Sequence, residues 1–153
     1  MRHIAVVLVV AGFGLAGCTG VSTDGSNPLA NCDGNGACKV AVSVTACAIT
    51  PSPDSLPVTG HNVDIFWELD IFSAILYRFR DGDGVTLKQQ DSDFGPPAPQ
   101  ANNKKYKMHD QNSKAMPGQT LSYPYTINIQ QWSLVQFGWV DCPLKDPTIV
   151  NQG

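Results

Sequence analysis

His61, Met108, His109 and Met116 are the side chains whose types best suit a transition metal, because imidazole and thioether ligands are those copper accepts. Their spacing argues against it. Adjacent residues of a strand point to opposite faces, which separates Met108 from His109, and solvated loop histidines are the simpler reading. Asp81-Gly82-Asp83-Gly84 carries alternating carboxylates of the kind calcium takes. The third Asp or Asn and the bidentate Glu that complete a calcium loop are missing, so a hairpin turn fits this segment better. Catalysis needs a nucleophile with its base, or two carboxylates with separated pKa values. The chain has no Gly-x-Ser-x-Gly and no His-Glu-x-x-His, and Glu68 with Asp70 reads as a strand face open to solvent. No catalytic residue, metal ligand or cofactor is therefore expected. Lys104, Lys105, Lys107 and Lys114 gather around Tyr106 and suit anionic lipid or glycan, with a solvated face the plainer account. Trp132, Phe137 and Trp139 could form an aromatic platform, but large aromatics near a strand usually bury, which assigns them to the core.

The elements that would position these residues begin with an address. Arg2 and His3 precede an apolar run at residues 4–15, then small residues, the layout of an export signal. The run is shorter than the roughly 20 residues a bilayer-spanning helix needs. It ends in Leu15-Ala16-Gly17-Cys18, which resembles the lipobox of bacterial lipoproteins. The resemblance implies cleavage before Cys18, a diacylglyceryl thioether on its sulfur, and a further acyl chain of the palmitate type on the new amino group. Two or more chains hold a protein stably at a membrane, where a single one does not. Thr19 in place of an aspartate implies sorting to the outer membrane, facing the periplasm.

Within the 153 residues, loss of residues 1–17 leaves one domain's worth of chain. Arg2 goes with the signal, so nine Lys and Arg face thirteen acids, and Glu68 is the single Glu among them. An acidic surface of this kind does not attract nucleic acid. Apart from Cys18, the cysteines are Cys32, Cys38, Cys47 and Cys142, an even number in an exported chain without a Cys-x-x-Cys pair. Two disulfides are the default. Of the three pairings, Cys32 with Cys38 across a Gly-rich stretch, leaving Cys47 with Cys142, is favoured.

Residues 19–31 are small and polar and read as a flexible tether. Residues 39–45 alternate three valines with small or polar side chains, a half-buried strand. Residues 47–50 and 56–58 are further extended pieces, and residues 63–69 form the clearest strand, with Val63, Ile65, Trp67 and Leu69 on one face and Trp67 the candidate core centre. Short strands follow at 77–80, 85–87 and 106–108. At 123–130, Pro124 restricts the start of the strand to an edge position, and a last apolar stretch covers 134–140. Abundant Asp, Gly, Asn and Pro join such strands by tight turns. The expectation is an all-β fold, a seven- or eight-stranded antiparallel Greek-key sandwich at residues 38–153, after a signal peptide (1–17) and a lipidated flexible tether (18–37).

The extended segment at 49–58, the Gly60 turn, the strand bearing Trp67, and then Pro117-Gly118, the 123–129 strand and Cys142 resemble a cupredoxin. An immunoglobulin-like sandwich shares several of these features. The resemblance concerns fold alone, because a blue-copper site clusters its Cys, second His and axial Met on a C-terminal loop. Here Cys142 is followed by Pro143-Leu144-Lys145-Asp146, with no His after His109 and no Met after Met116. The function expected is that of a lipid-anchored cell-envelope protein acting as a non-catalytic binding or structural module. Its expected partners are the membrane, through Cys18, and an envelope protein or glycan. The alternatives are a divergent copper-binding cupredoxin and an envelope hydrolase.

Overall fold

The structure, a computed structural model, describes residues 32, 33 and 36–153. The expected signal peptide, the expected lipobox with Cys18 and most of the expected tether lie outside the described residues. Among those described, the strands in chain order are β1 (Cys32–Asp33), β2 (Ala37–Thr45), β3 (Ala48–Ser52), β4 (Ser55–Val58), β5 (Val63–Leu69), β6 (Tyr77–Phe79) and β7 (Val85–Leu87). There follow β8 (Ala98–Gln100), β9 (Lys105–Asp110), β10 (Thr120–Ile127), β11 (Ile129–Ser133), β12 (Gly138–Asp141) and β13 (Thr148–Gln152). One helical turn, α1 (Ser73–Leu76), precedes β6.

The all-β sandwich expected from the sequence is the fold. One sheet runs β1-β2-β5-β9-β8, with β3 also on β2. In the other, β10 and β11 form a nearly continuous path broken at Asn128. Its two flanks are β13 and β12 on one side and β7 and β6 on the other, and β4 lies outside β13. Alternation builds the core: Cys38, Val40, Val42 and Val44 of β2 are buried while Lys39, Ala41, Ser43 and Thr45 are exposed. Trp67 is fully buried, as its place on β5 implied, and joins the two sheets: its indole N–H donates to the Tyr125 hydroxyl at 3.0 Å, with the rings edge to face.

Three details depart from expectation. First, the strands are shorter and more numerous than seven or eight, and two pairs are parallel, β2 with β5 and β4 with β13. After β3 the chain crosses to lay β4 on the second sheet and then returns to β5, and a crossover leaves neighbours parallel where a hairpin makes them antiparallel. Second, Cys32, inside the range given to the tether, is already paired, because β1 folds back on the start of β2 and Cys32 is disulfide-bonded to Cys38. Third, residues 81–84 do not turn a hairpin. The strands β6 and β7 pair with the same β10–β11 path in one direction, so the segment between them is an excursion from a continuing strand.

Asn128 closes that excursion. Its carbonyl accepts from Arg80 N–H, its N–H donates to the Gly84 carbonyl, and its side-chain amide donates to the Asp83 carbonyl. From the opposite sheet the buried Tyr106 hydroxyl donates to the Arg80 carbonyl at 3.1 Å and accepts from Gly84 N–H at 3.0 Å. A Cβ on Gly84 would lie 2.5 Å from the Tyr106 ring and 2.6 Å from Phe79 Cβ. Gly84→Ala is therefore expected to cost about 1–3 kcal/mol, the range for overpacking a filled site, read as a lowered urea midpoint. An unchanged midpoint would mean that the Tyr106 ring moves aside freely.

Candidate binding surface

At one pole of the sandwich lie the end of β2, the end of β5, α1 and the β11–β12 hairpin. The Cys47–Cys142 disulfide ties the two sheets there, as favoured from the sequence. Asp70 follows β5 and organises the next turn: its Oδ1 accepts from the N–H groups of Phe72 at 2.9 Å and Ser73 at 2.8 Å, and its Oδ2 accepts from the Ser73 hydroxyl at 2.9 Å. These bonds, that from Ser73 N–H foremost, hold the Asp70 carboxyl below its usual range. The Ser73 hydroxyl in turn accepts from Val44 N–H at 2.7 Å. Because Ser73 is the residue turned inward, Ile71, Phe72, Ile75 and Leu76 are left facing outward, Phe72 with 82% of its surface exposed.

The hairpin repeats the pattern. Trp132 and Trp139 are register partners with rings 5.4 Å apart, edge to face. Beyond them the tip carries Leu134, Val135 and Phe137, of which Val135 is 91% exposed. Leu76 and Phe72 line a shallow groove along the end of β2, and Leu76 lines a second groove with Trp132, Leu134 and Val140, so the two loops form one continuous surface. Behind it stand cations: Arg78 lies 4.5 Å and Lys104 5.4 Å from the Trp139 ring centre. Burial, followed by repulsion from Arg78, lowers the Lys104 pKa. Placing Trp132, Phe137 and Trp139 in the core is thus corrected: Phe137 is exposed and the two tryptophans only partly covered. The hairpin tip has no buried residue from Ser133 to Asp141, and burial resumes only at Cys142.

The other residues singled out by type are dispersed into pairs. Met108 is buried, Met116 exposed, and Nδ1 of His109 sits 3.1 Å from Asp64. His61 lies 2.7 Å from the Asn112 carbonyl. Glu68 pairs with Lys39, and Asp70 proves to be a turn cap instead of a free strand carboxylate. Asp81 and Asp83 pair with Arg78 and Arg80. The lysines divide: Lys107 pairs with Asp64, Lys105 lies over the Phe66 ring, Lys114 pairs with Asp91, and Lys104 donates to the Tyr77 carbonyl. Among the described residues no three His, Cys, Asp or Glu side chains are grouped to hold a metal ion. Cys142, being disulfide-bonded, offers no thiolate.

Sequence reasoning missed two features. The first is the outward face of residues 71–76, whose one signal is six residues without a charge after Asp70, at the end of a strand. The second is a buried polar knot at the other side of the fold. Asp110 Oδ1 accepts from Asn112 N–H at 2.8 Å and from the Asn151 amide at 3.1 Å. No donor among the described residues reaches Asp110 Oδ2, Asn112 Oδ1 or Asn151 Oδ1, all of them buried. Burial pushes the Asp110 carboxyl up to about 6. No family model matches this chain, and no curated protein matches it.

Proposed function

We propose that this chain is a lipoprotein of the cell envelope, anchored through acyl chains on Cys18 and sorted to the periplasmic face of the outer membrane, whose β-sandwich is a non-catalytic binding module. The apolar pole carries this reading. Ten large apolar side chains of the described domain are at least about a third exposed, and eight of them lie on the 71–76 turn and the β11–β12 hairpin together. Monomeric proteins rarely leave contiguous apolar patches uncovered without a binding role. His109 pairs with Asp64, Glu68 with Lys39, and Asp70 caps a turn.

Two measurements test this. Mass spectrometry of the native product is expected to show an acylated N-terminal Cys18, and an intact Met1 or a free Cys18 thiol overturns the anchor. A photo-reactive residue at Val135, introduced in the living cell, is expected to form adducts with protein, glycan or lipid. The same group at the exposed Lys39 of β2 is not. Equal labelling at both positions removes the pole as the binding surface.

A further inference from the structure

We infer that the apolar pole docks into a lipid bilayer, giving the protein a second membrane contact besides its acyl chains; this rests on the reading of the pole as its binding surface. The layers of the pole follow the layers of a membrane interface. At the outer limit are aliphatic and phenyl side chains on two loops, Ile71, Phe72 and Ile75 on one and Leu134, Val135 and Phe137 on the other. No charged residue occurs within residues 71–77 or 131–140. One step back lies the Trp132–Trp139 pair, and beside it Arg78 and Lys104 stacked on Trp139. Indole rings prefer the headgroup level, and long basic side chains run apolar stems along such a surface while their charged ends reach phosphate. Of the nearest acids, Asp70 is turned into its cap, Asp141 reaches toward Arg80 and Gln130, and Asp81 pairs with the Arg78 guanidinium at 3.1 Å.

Chain length allows both contacts on one membrane. Cys32 stands at the start of β2 and the pole at its end, about 30 Å apart for nine residues of strand. The chain from Cys18 to Cys32 reaches at most about 45–50 Å when extended. It can therefore run back along the domain and leave the pole at the surface that holds the anchor.

The three tryptophans make the test internal to the full chain, because Trp67 is fully buried while Trp132 and Trp139 belong to the pole. The membrane-extracted protein is placed in phosphatidylcholine vesicles with brominated acyl chains, which quench indoles lying at the bilayer. Docking is expected to quench and blue-shift the emission of Trp132 and Trp139 and to leave that of Trp67 unchanged. The combined Phe72→Asp, Val135→Asp and Phe137→Asp variant, altered only at exposed positions, is expected to remain anchored but unquenched. Anchored wild type that is not quenched overturns the inference while leaving the lipoprotein reading intact. If the extracted chain carries no acyl group, that reading fails. The inference is then decided by adding the same vesicles to the Cys18→Ser chain, with quenching supporting it and its absence overturning it. Sedimentation showing a dimer that the triple variant abolishes, with no quenching, assigns the pole to a second copy and also overturns the inference.

Discussion

Replacing Cys47 and Cys142 together by alanine is expected to destabilise the domain by roughly 4–5 kcal/mol. The bond closes a loop of 95 residues, and in the chain-entropy account a cross-link stabilises by removing conformations from the unfolded chain, in proportion to the logarithm of that loop. The Cys32–Cys38 bond closes only six residues, and by the same relation its removal costs about 2 kcal/mol. Against a total stability of about 5–15 kcal/mol for a domain, the first loss leaves little margin and the second is tolerated. Urea unfolding of the two double variants measures the difference. Equal losses would show that the bonds act through local native contacts instead of the unfolded chain. The long-range bond also joins the β2–β3 turn to the end of β12, so its loss is expected to loosen the pole first, seen as faster amide exchange at residues 70–76 and 131–140.

Asp110→Asn is expected to stabilise the protein at pH 7.5 by about 2–3 kcal/mol and to remove most of the pH dependence of its stability between pH 4 and 7. The Asp110 side chain is fully buried, and burial is the main reason that its pKa stands at about 6 instead of 3.8. Hydrogen bonds from Asn112 and Asn151 oppose that shift, and the charge of Asp93 adds to it. The folded chain thus holds this proton more tightly than the unfolded one. Its contribution is fully present below about pH 4 and lost as pH rises through 6, a difference of about 3 kcal/mol. Above pH 6 a carboxylate remains beside two amide oxygens that lack donors. Asparagine keeps the acceptor used by Asn112 N–H and the Asn151 amide, removes the charge, and supplies N–H donors to a knot short of them. Asp64, Glu68, Asp70 and Asp91 behave in the opposite sense: their pKa values are lowered, so their contributions fade only as pH falls below about 4. Those groups are solvent-screened and contribute little. Urea midpoints at pH 4.5, 6 and 7.5 decide the matter, and a variant less stable than wild type at pH 7.5 refutes this account of the knot.

Much of the architecture was legible because alternation is a local property. The valines of β2 and the Val63–Leu69 strand show which face is buried without reference to any partner, and Trp67 follows from its place in that pattern. The edge position assigned to the start of this strand holds for residues 120–123, which pair with β13 alone, while the Pro124 carbonyl already accepts from Lys88 N–H at the end of β7. The excursion at 81–84 was misread because a Gly- and Asp-rich segment suits any tight reversal, and only the shared partner path reveals that the strand continues beyond it.

Residue chemistry and spacing alone determined the even set of cysteines, the sandwich class and the strands around Trp67. Tertiary structure decided which apolar side chains have something to pack against. Trp132 and Phe137 read like core residues by type, as does Ile75, yet the turn pinned by Ser73 and the projecting hairpin leave each of them at least a third exposed among the described residues. In the same way Asp110, Asn112 and Asn151 are ordinary surface residues by type, and it is the packing of β9, the loop after it and β13 that withdraws them from water. Burial depends on what the rest of the chain brings opposite a residue, and that information is not contained in its neighbours along the sequence.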